Sequence, residues 1–284
     1  MFEIIKYQLK GRRGTILFLL AAFGIVNLVA WGAEIYGFAT GMRSFTPLLG
    51  FWIPIAMAVT WVTTIVMFFM CSSGHVNELL FKDTSYLMLT VPRRGWQILG
   101  GRLVAGLIEF LMYALPMLVI MSVHAAAGTV FATDGKTGFF AAMAFVYRDV
   151  FGNNILSLLK LMMLGLSMFV STGVLILFAG VATRSFVKTK KLAIAIGIVV
   201  FITISNWSVK LGSWMSETLG WYVNVPVSVA TRQFGGMGGN GGDWMPQAVG
   251  QQCAIPLAPF LIFLVIAAIL FACASWLMER KVEL

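Results

Sequence analysis

The sequence predicts an all-α polytopic membrane protein, and three features carry that expectation: its apolar content, six long apolar runs and the placement of its basic residues. Of 284 residues, 60% are hydrophobic and only 11% charged, whereas soluble domains are about half apolar and a quarter charged. Runs at roughly 15–39, 47–72, 98–125, 154–182, 192–209 and 254–278 reach the length of about 20 residues that a helix needs to cross hydrocarbon. They form one transmembrane domain over residues 1–284. Of the 20 Lys and Arg, fourteen fall on one side of the connections, five on the other, and Lys160 lies inside a run. The positive-inside rule makes the richer side, with both termini, cytoplasmic.

Taken in order, "MFEIIKYQLKGRRG" places Phe2, Ile5 and Leu9 on one helical face and Glu3, Lys6 and Lys10 on another. That pattern predicts an N-terminal amphipathic helix lying in the membrane interface. The run after Arg13 exceeds a signal-peptide core and lacks a small-x-small cleavage site, so it is read as a retained first span. Between the second and third spans, Asp83 with Thr84 and Ser85 can cap a new helix. "YLMLTV" is too short to cross, and Pro92 ends it. Arg93, Arg94 and Gly95 then turn the chain back, predicting a short surface helix on the cytoplasmic side. Residues 210–252 form the outer region, with the glycine-rich "QFGGMGGNGGDWMPQ" as a flexible loop and re-entrant helices as a further possibility beside it.

A net charge of +9 reflects topology here and not a nucleic-acid partner. Cys71, Cys253 and Cys273 have no CxxC or metal-type spacing, so no disulfide framework or zinc site is predicted. "VFATDGKTG" ends like a phosphate loop, but Val130 replaces its first glycine and no strand precedes it. The chain therefore has no visible ATPase motor. "HVNE", His75 to Glu78, begins a metal motif, yet Leu79 stands where its second histidine belongs. His75 is read as a helix-end residue, and no metal site is assigned.

Ionisable groups at bilayer depth cost at least about 2.5 kcal/mol and become the candidate site. In the third span Arg102, Glu109, Tyr113 and His124 share a polar stripe. Lys160, Ser167 and Ser171 share a face in the fourth, which suggests a Glu109–Lys160 ion pair, structural or coupled to transport. Asn27, Trp31 and Glu34 share a face of the first span, as do Thr60, Thr63 and Thr64 in the second. Such groups either bond neighbouring helices or line a path.

The tract "NELLFKDTSYLMLTVPRRGWQILGGRLVAGLIE", with the basic N-terminal helix, the six spans and the "ERKVEL" tail, resembles the transmembrane subunits of type 2 ABC transporters, the exporter-type permeases. The resemblance implies a bacterial cytoplasmic-membrane protein whose tract between spans two and three is a coupling helix docking on a nucleotide-binding subunit. By position, Glu78, Lys82, Asp83, Tyr86 and Leu87 would form that docking surface, and Arg93, Arg94 and Arg102 its basic end. It further implies a second permease subunit, identical or similar, and ABC ATPase subunits that carry ATP and Mg²⁺, with no cofactor in this chain. Asn27, Glu34, Thr60, Thr63, Thr64 and Asn206 would stand near the seam between permease subunits. The expected function is ATP-driven movement of a hydrophobic or amphipathic substrate such as a peptide, antibiotic or lipid. A proton- or ion-coupled transporter using Glu109, or a membrane scaffold or sensor, are the alternatives.

Overall fold

In the computed structural model the described residues are almost entirely helical. The structure describes residues 2–40, 47–75, 80, 94–132, 138–148, 155–187, 189–220, 222–228 and 250–280. Among them are seven helices: α1 (Phe2–Ala39), α2 (Pro47–Ser72), α3 (Gly95–Ala132), α4 (Phe139–Tyr147), α5 (Ile155–Phe186), α6 (Lys190–Leu219) and α7 (Ala258–Arg280). Two strands, β1 (Tyr222–Ser228) and β2 (Gly250–Pro256), complete the order. Five helices, α1, α3, α5, α6 and α7, are long and apolar enough to cross a membrane, and α2 contributes a shorter apolar stretch, Ala58–Ser72.

Several boundaries differ from those read in the sequence. No break separates "MFEIIKYQLKGRRG" from the first span. Both lie in α1, a single helix of 38 residues that measures about 57 Å at 1.5 Å per residue. It overshoots a hydrocarbon layer of about 30 Å, so its charged first turns belong to the same rod as its apolar part. Residues 210–219, expected in a loop, continue α6. Beyond α6 the chain forms an antiparallel hairpin instead of a re-entrant helix, with Tyr222 paired to Pro256 and Ser228 to Gly250. "YVNVPVS" explains this, since alternating valines favour an extended pleat over a helix. The glycine-rich residues 229–249, and 76–79 and 81–93 of the tract between α2 and α3, lie outside the described residues.

The exterior is apolar: Phe18, Val199 and Trp207 are 71%, 62% and 73% exposed, as suits lipid-facing surfaces. Inside, one cluster joins Leu80, Ile98, Leu99, Leu177, Val181, Ala274 and Met278, with Ile4 packed against it. It gathers the start of α1, the start of α3 and the ends of α5 and α7, so the first turns of α1 and the last turns of α7 lie at the same end of the bundle. A second cluster, Ile16, Met67, Cys71, Tyr113 and Phe169, ties α1, α2, α3 and α5 further along.

Two close approaches set the depth of α2. A methyl group on Gly106 of α3 would collide with the Cys71 carbonyl, and one on Gly173 of α5 would collide with the Ser72 carbonyl. Glycine at both positions lets the last turn of α2 wedge between the two neighbouring helices, backbone against backbone.

Candidate functional site

Helices α1 and α3 run parallel, and two buried polar clusters lie along their contact. Arg12 Nε donates to Glu109 Oε1 at 3.0 Å, and His124 Nε2 meets Asn27 Oδ1 at 3.1 Å. Both pairs are separated by 97 positions in the chain, so the register holds over about fifteen residues, roughly 22 Å of helix.

The inner cluster is centred on Glu109, whose side chain is fully buried. Arg12 takes one carboxylate oxygen, and His75 Nε2 lies 2.9 Å from the other. Cys71, four residues before His75 and also fully buried, brings its sulfur within 4.8 Å of the His75 and Glu109 ligand atoms. The turn that carries His75 is unusual: its φ is 55°, a left-handed conformation that costs a non-glycine residue on the order of 1 kcal/mol. Arg102 holds it there, with Nη1 donating to the carbonyls of Gly74 at 3.3 Å and His75 at 3.2 Å. Arg102 thus serves the backbone around the site while Arg12 serves the carboxylate.

The outer cluster encloses His124. Its Nδ1 lies 2.7 Å from Glu34 Oε1, and its ring packs against Trp31 at 5.9 Å between centroids. Asn27 uses its amide N–H on the Phe23 carbonyl at 2.9 Å, which turns its oxygen toward the histidine. An amide oxygen only accepts, so His124 Nε2 must carry hydrogen. The cluster therefore forms a buried chain of polar contacts from Asn27 through His124 to Glu34.

Of the two polar faces, Asn27, Trp31 and Glu34 of α1 meet His124 of α3, while Glu109 lies with Arg12 and His75. Lys160 is not brought to Glu109. In the antiparallel packing of α3 and α5, Phe169 stacks on Phe110 at 5.2 Å, so it marks the level of Glu109. Lys160, half-buried, is about nine residues farther along α5, roughly 13 Å away. Arg12 and His75 occupy the carboxylate instead. In the sequence Arg12 is legible only as a topology signal, and His75 only as a helix end. The signals that could have found the cluster are the i, i+4 spacing of Cys71 and His75 and the position of Arg12 one turn before the apolar part of α1.

Thr60 and Thr64 spend their hydroxyls on backbone carbonyls four residues earlier, at 2.7 and 2.8 Å. Thr64 also reaches Met117 Sδ of α3 at 2.7 Å, and Thr63 is half-buried beside them. Asn206 is exposed on α6. Of the docking surface and its basic end, Arg94 is described and exposed, whereas Arg102 is buried with its guanidinium on the Gly74 and His75 carbonyls and is not at that surface. Glu78, Lys82, Asp83, Tyr86, Leu87 and Arg93 lie outside the described residues.

Comparison with family models, with curated proteins and with solved structures finds no match to this chain.

Proposed function

We propose that the chain is the permease subunit of an ATP-driven exporter, with α2 as the sixth span beside the five longer ones. The observation that carries this reading is the anchoring of both ends of the tract between α2 and α3. At its exit, His75 is tied to Glu109 at the centre of the bundle. At its return, the Gly95 amide donates to Glu279 Oε1 at 2.7 Å, fastening the start of α3 to the end of α7. Leu80, between these points, is buried against α3, α5 and α7. A push on this tract would reach four helices at once, which is what a subunit driven from outside its own chain requires.

In this reading separate ABC ATPase subunits grip Glu78, Lys82, Asp83, Tyr86 and Leu87 on the cytoplasmic face, with Arg93 and Arg94 beside them. ATP and Mg²⁺ belong to those partners. A second permease subunit would meet the chain along the face of α6 where Asn206 is exposed, since a polar group in hydrocarbon gains most by bonding another helix. Closure of the ATPases shifts the inward–outward equilibrium through contacts that differ between the two states. The apolar spans suit a hydrophobic or amphipathic cargo.

The test is co-purification under mild detergent from the native host. An ATPase subunit should accompany the wild-type chain, and Tyr86→Asp/Leu87→Asp should release it while the melting curve of the chain is retained. Purification without any ATPase would overturn the reading. One observation favours a second reading: two buried Glu–His pairs, Glu109–His75 and Glu34–His124, each include a residue of α3 and could serve a proton-coupled transporter. Transport that stops with an uncoupler and continues without ATP would select it.

A further inference from the structure

The inner cluster has more chemistry than Arg12 and His75 need to neutralise Glu109. Cys71 is fully buried beside them, and Tyr113, one helical turn after Glu109, is 2% exposed with a hydroxyl that has no hydrogen-bond partner among the described residues. Tyr113 packs in the same cluster as Cys71 and lies within electrostatic reach of Glu109, Cys71 and Arg12. A buried hydroxyl left unpaired costs about 1–3 kcal/mol, which a water or ion at its face would recover.

We propose that Cys71, His75 and Glu109 form a binding site for a zinc-class transition-metal dication. Thiolate, imidazole and carboxylate are the three donor types that zinc takes. A tetrahedral site with bonds of about 2.0–2.3 Å sets its donors roughly 3.3–3.8 Å apart, and these three lie within 4.8 Å of one another. Small adjustments therefore bring them to a common ion. Arg12 holds Glu109 Oε1 and leaves Oε2 pointing toward His75, so the guanidinium orients the ligand. Binding releases the Cys71 thiol proton to solvent and uses the His75 Nε2 lone pair, with the neutral ring carrying its one hydrogen on Nδ1. The carboxylate and thiolate together neutralise the dication, and Arg12 faces a centre of no net charge. A water in the fourth position would meet the Tyr113 hydroxyl. The close contact of Gly106 with Cys71 and the left-handed turn at His75 are the devices that bring an i, i+4 pair from the end of α2 onto Glu109.

Cobalt(II) is the probe, because its spectrum reports both geometry and sulfur ligation. In full-length protein carrying Cys253→Ser and Cys273→Ser, Cys71 is the sole thiol. One equivalent of Co²⁺ should give a near-ultraviolet thiolate-to-cobalt band and strong visible bands of a tetrahedral ion, and Zn²⁺ should abolish both. Cys71→Ser in the same background should lose the near-ultraviolet band, and His75→Asn should weaken binding at least about 10-fold, as loss of ligand support does. Absence of cobalt binding by the single-thiol protein, or binding without the thiolate band, overturns the site, and this result stands whether or not the ligand variants fold.

Discussion

At His124, both ring nitrogens meet an oxygen, and the environment decides what each substitution will do. Glu34→Gln can donate an amide hydrogen to Nδ1 and so keep the pair bonded with a neutral ring, at an expected cost of about 1 kcal/mol or less. Glu34→Leu removes the partner altogether and should cost about 1–3 kcal/mol. Melting curves in one detergent give the comparison, and equal losses would show that the Glu34–His124 contact does not hold the cluster. The inner cluster has the sharper dependence. Arg12→Met leaves a carboxylate with 0% exposure short of one partner and should cost about 3–5 kcal/mol. In a Glu109→Gln background the same change should cost much less, because the two groups are one unit; additive losses would dissolve the pair.

Between elements, two glycines matter for what they allow to approach. Gly106→Ala and Gly173→Ala each place a methyl group against a carbonyl of the last turn of α2 and should destabilise by about 1–3 kcal/mol. Gly165→Ala, also on α5, meets nothing within 4 Å. It should be neutral or stabilising by up to about 1 kcal/mol, the helix preference of alanine over glycine. A matching response at all three positions in thermal unfolding would refute the wedge. Spacing makes the helical nature of α1, α3, α5, α6 and α7 legible in the sequence, because long apolar runs admit few alternatives. The faces of Asn27, Trp31, Glu34, Glu109 and His124 are legible for the same reason. The partner of Glu109 is not, because helix spacing fixes a face but leaves the register between helices open. Lys160 and Arg12 are both basic, and only the packed register, with Arg12 on Glu109 and Phe169 beside Phe110, decides between them. The hairpin of Tyr222–Ser228 with Gly250–Pro256 escapes a sequence reading because its two strands are joined across 21 intervening residues, beyond the reach of local turn signals.

For the molecule as a whole, the fixed offset between α1 and α3 constrains how it can move. Sliding or rolling one helix on the other would break the Arg12–Glu109 and Asn27–His124 contacts together, leaving buried polar groups unpaired at two levels. Spin labels on the exposed faces of α1 and α3, at Phe18 and Leu118, should keep one narrow distance distribution in the chain alone and in the complex proposed above. A label on α6 should be the one that changes its distance to them, and a broadened α1–α3 distribution would refute this. A bolt at two heights makes the pair a lever arm: it can tilt but cannot telescope, so a stroke delivered at one face of the membrane would emerge at the other with its length undiminished.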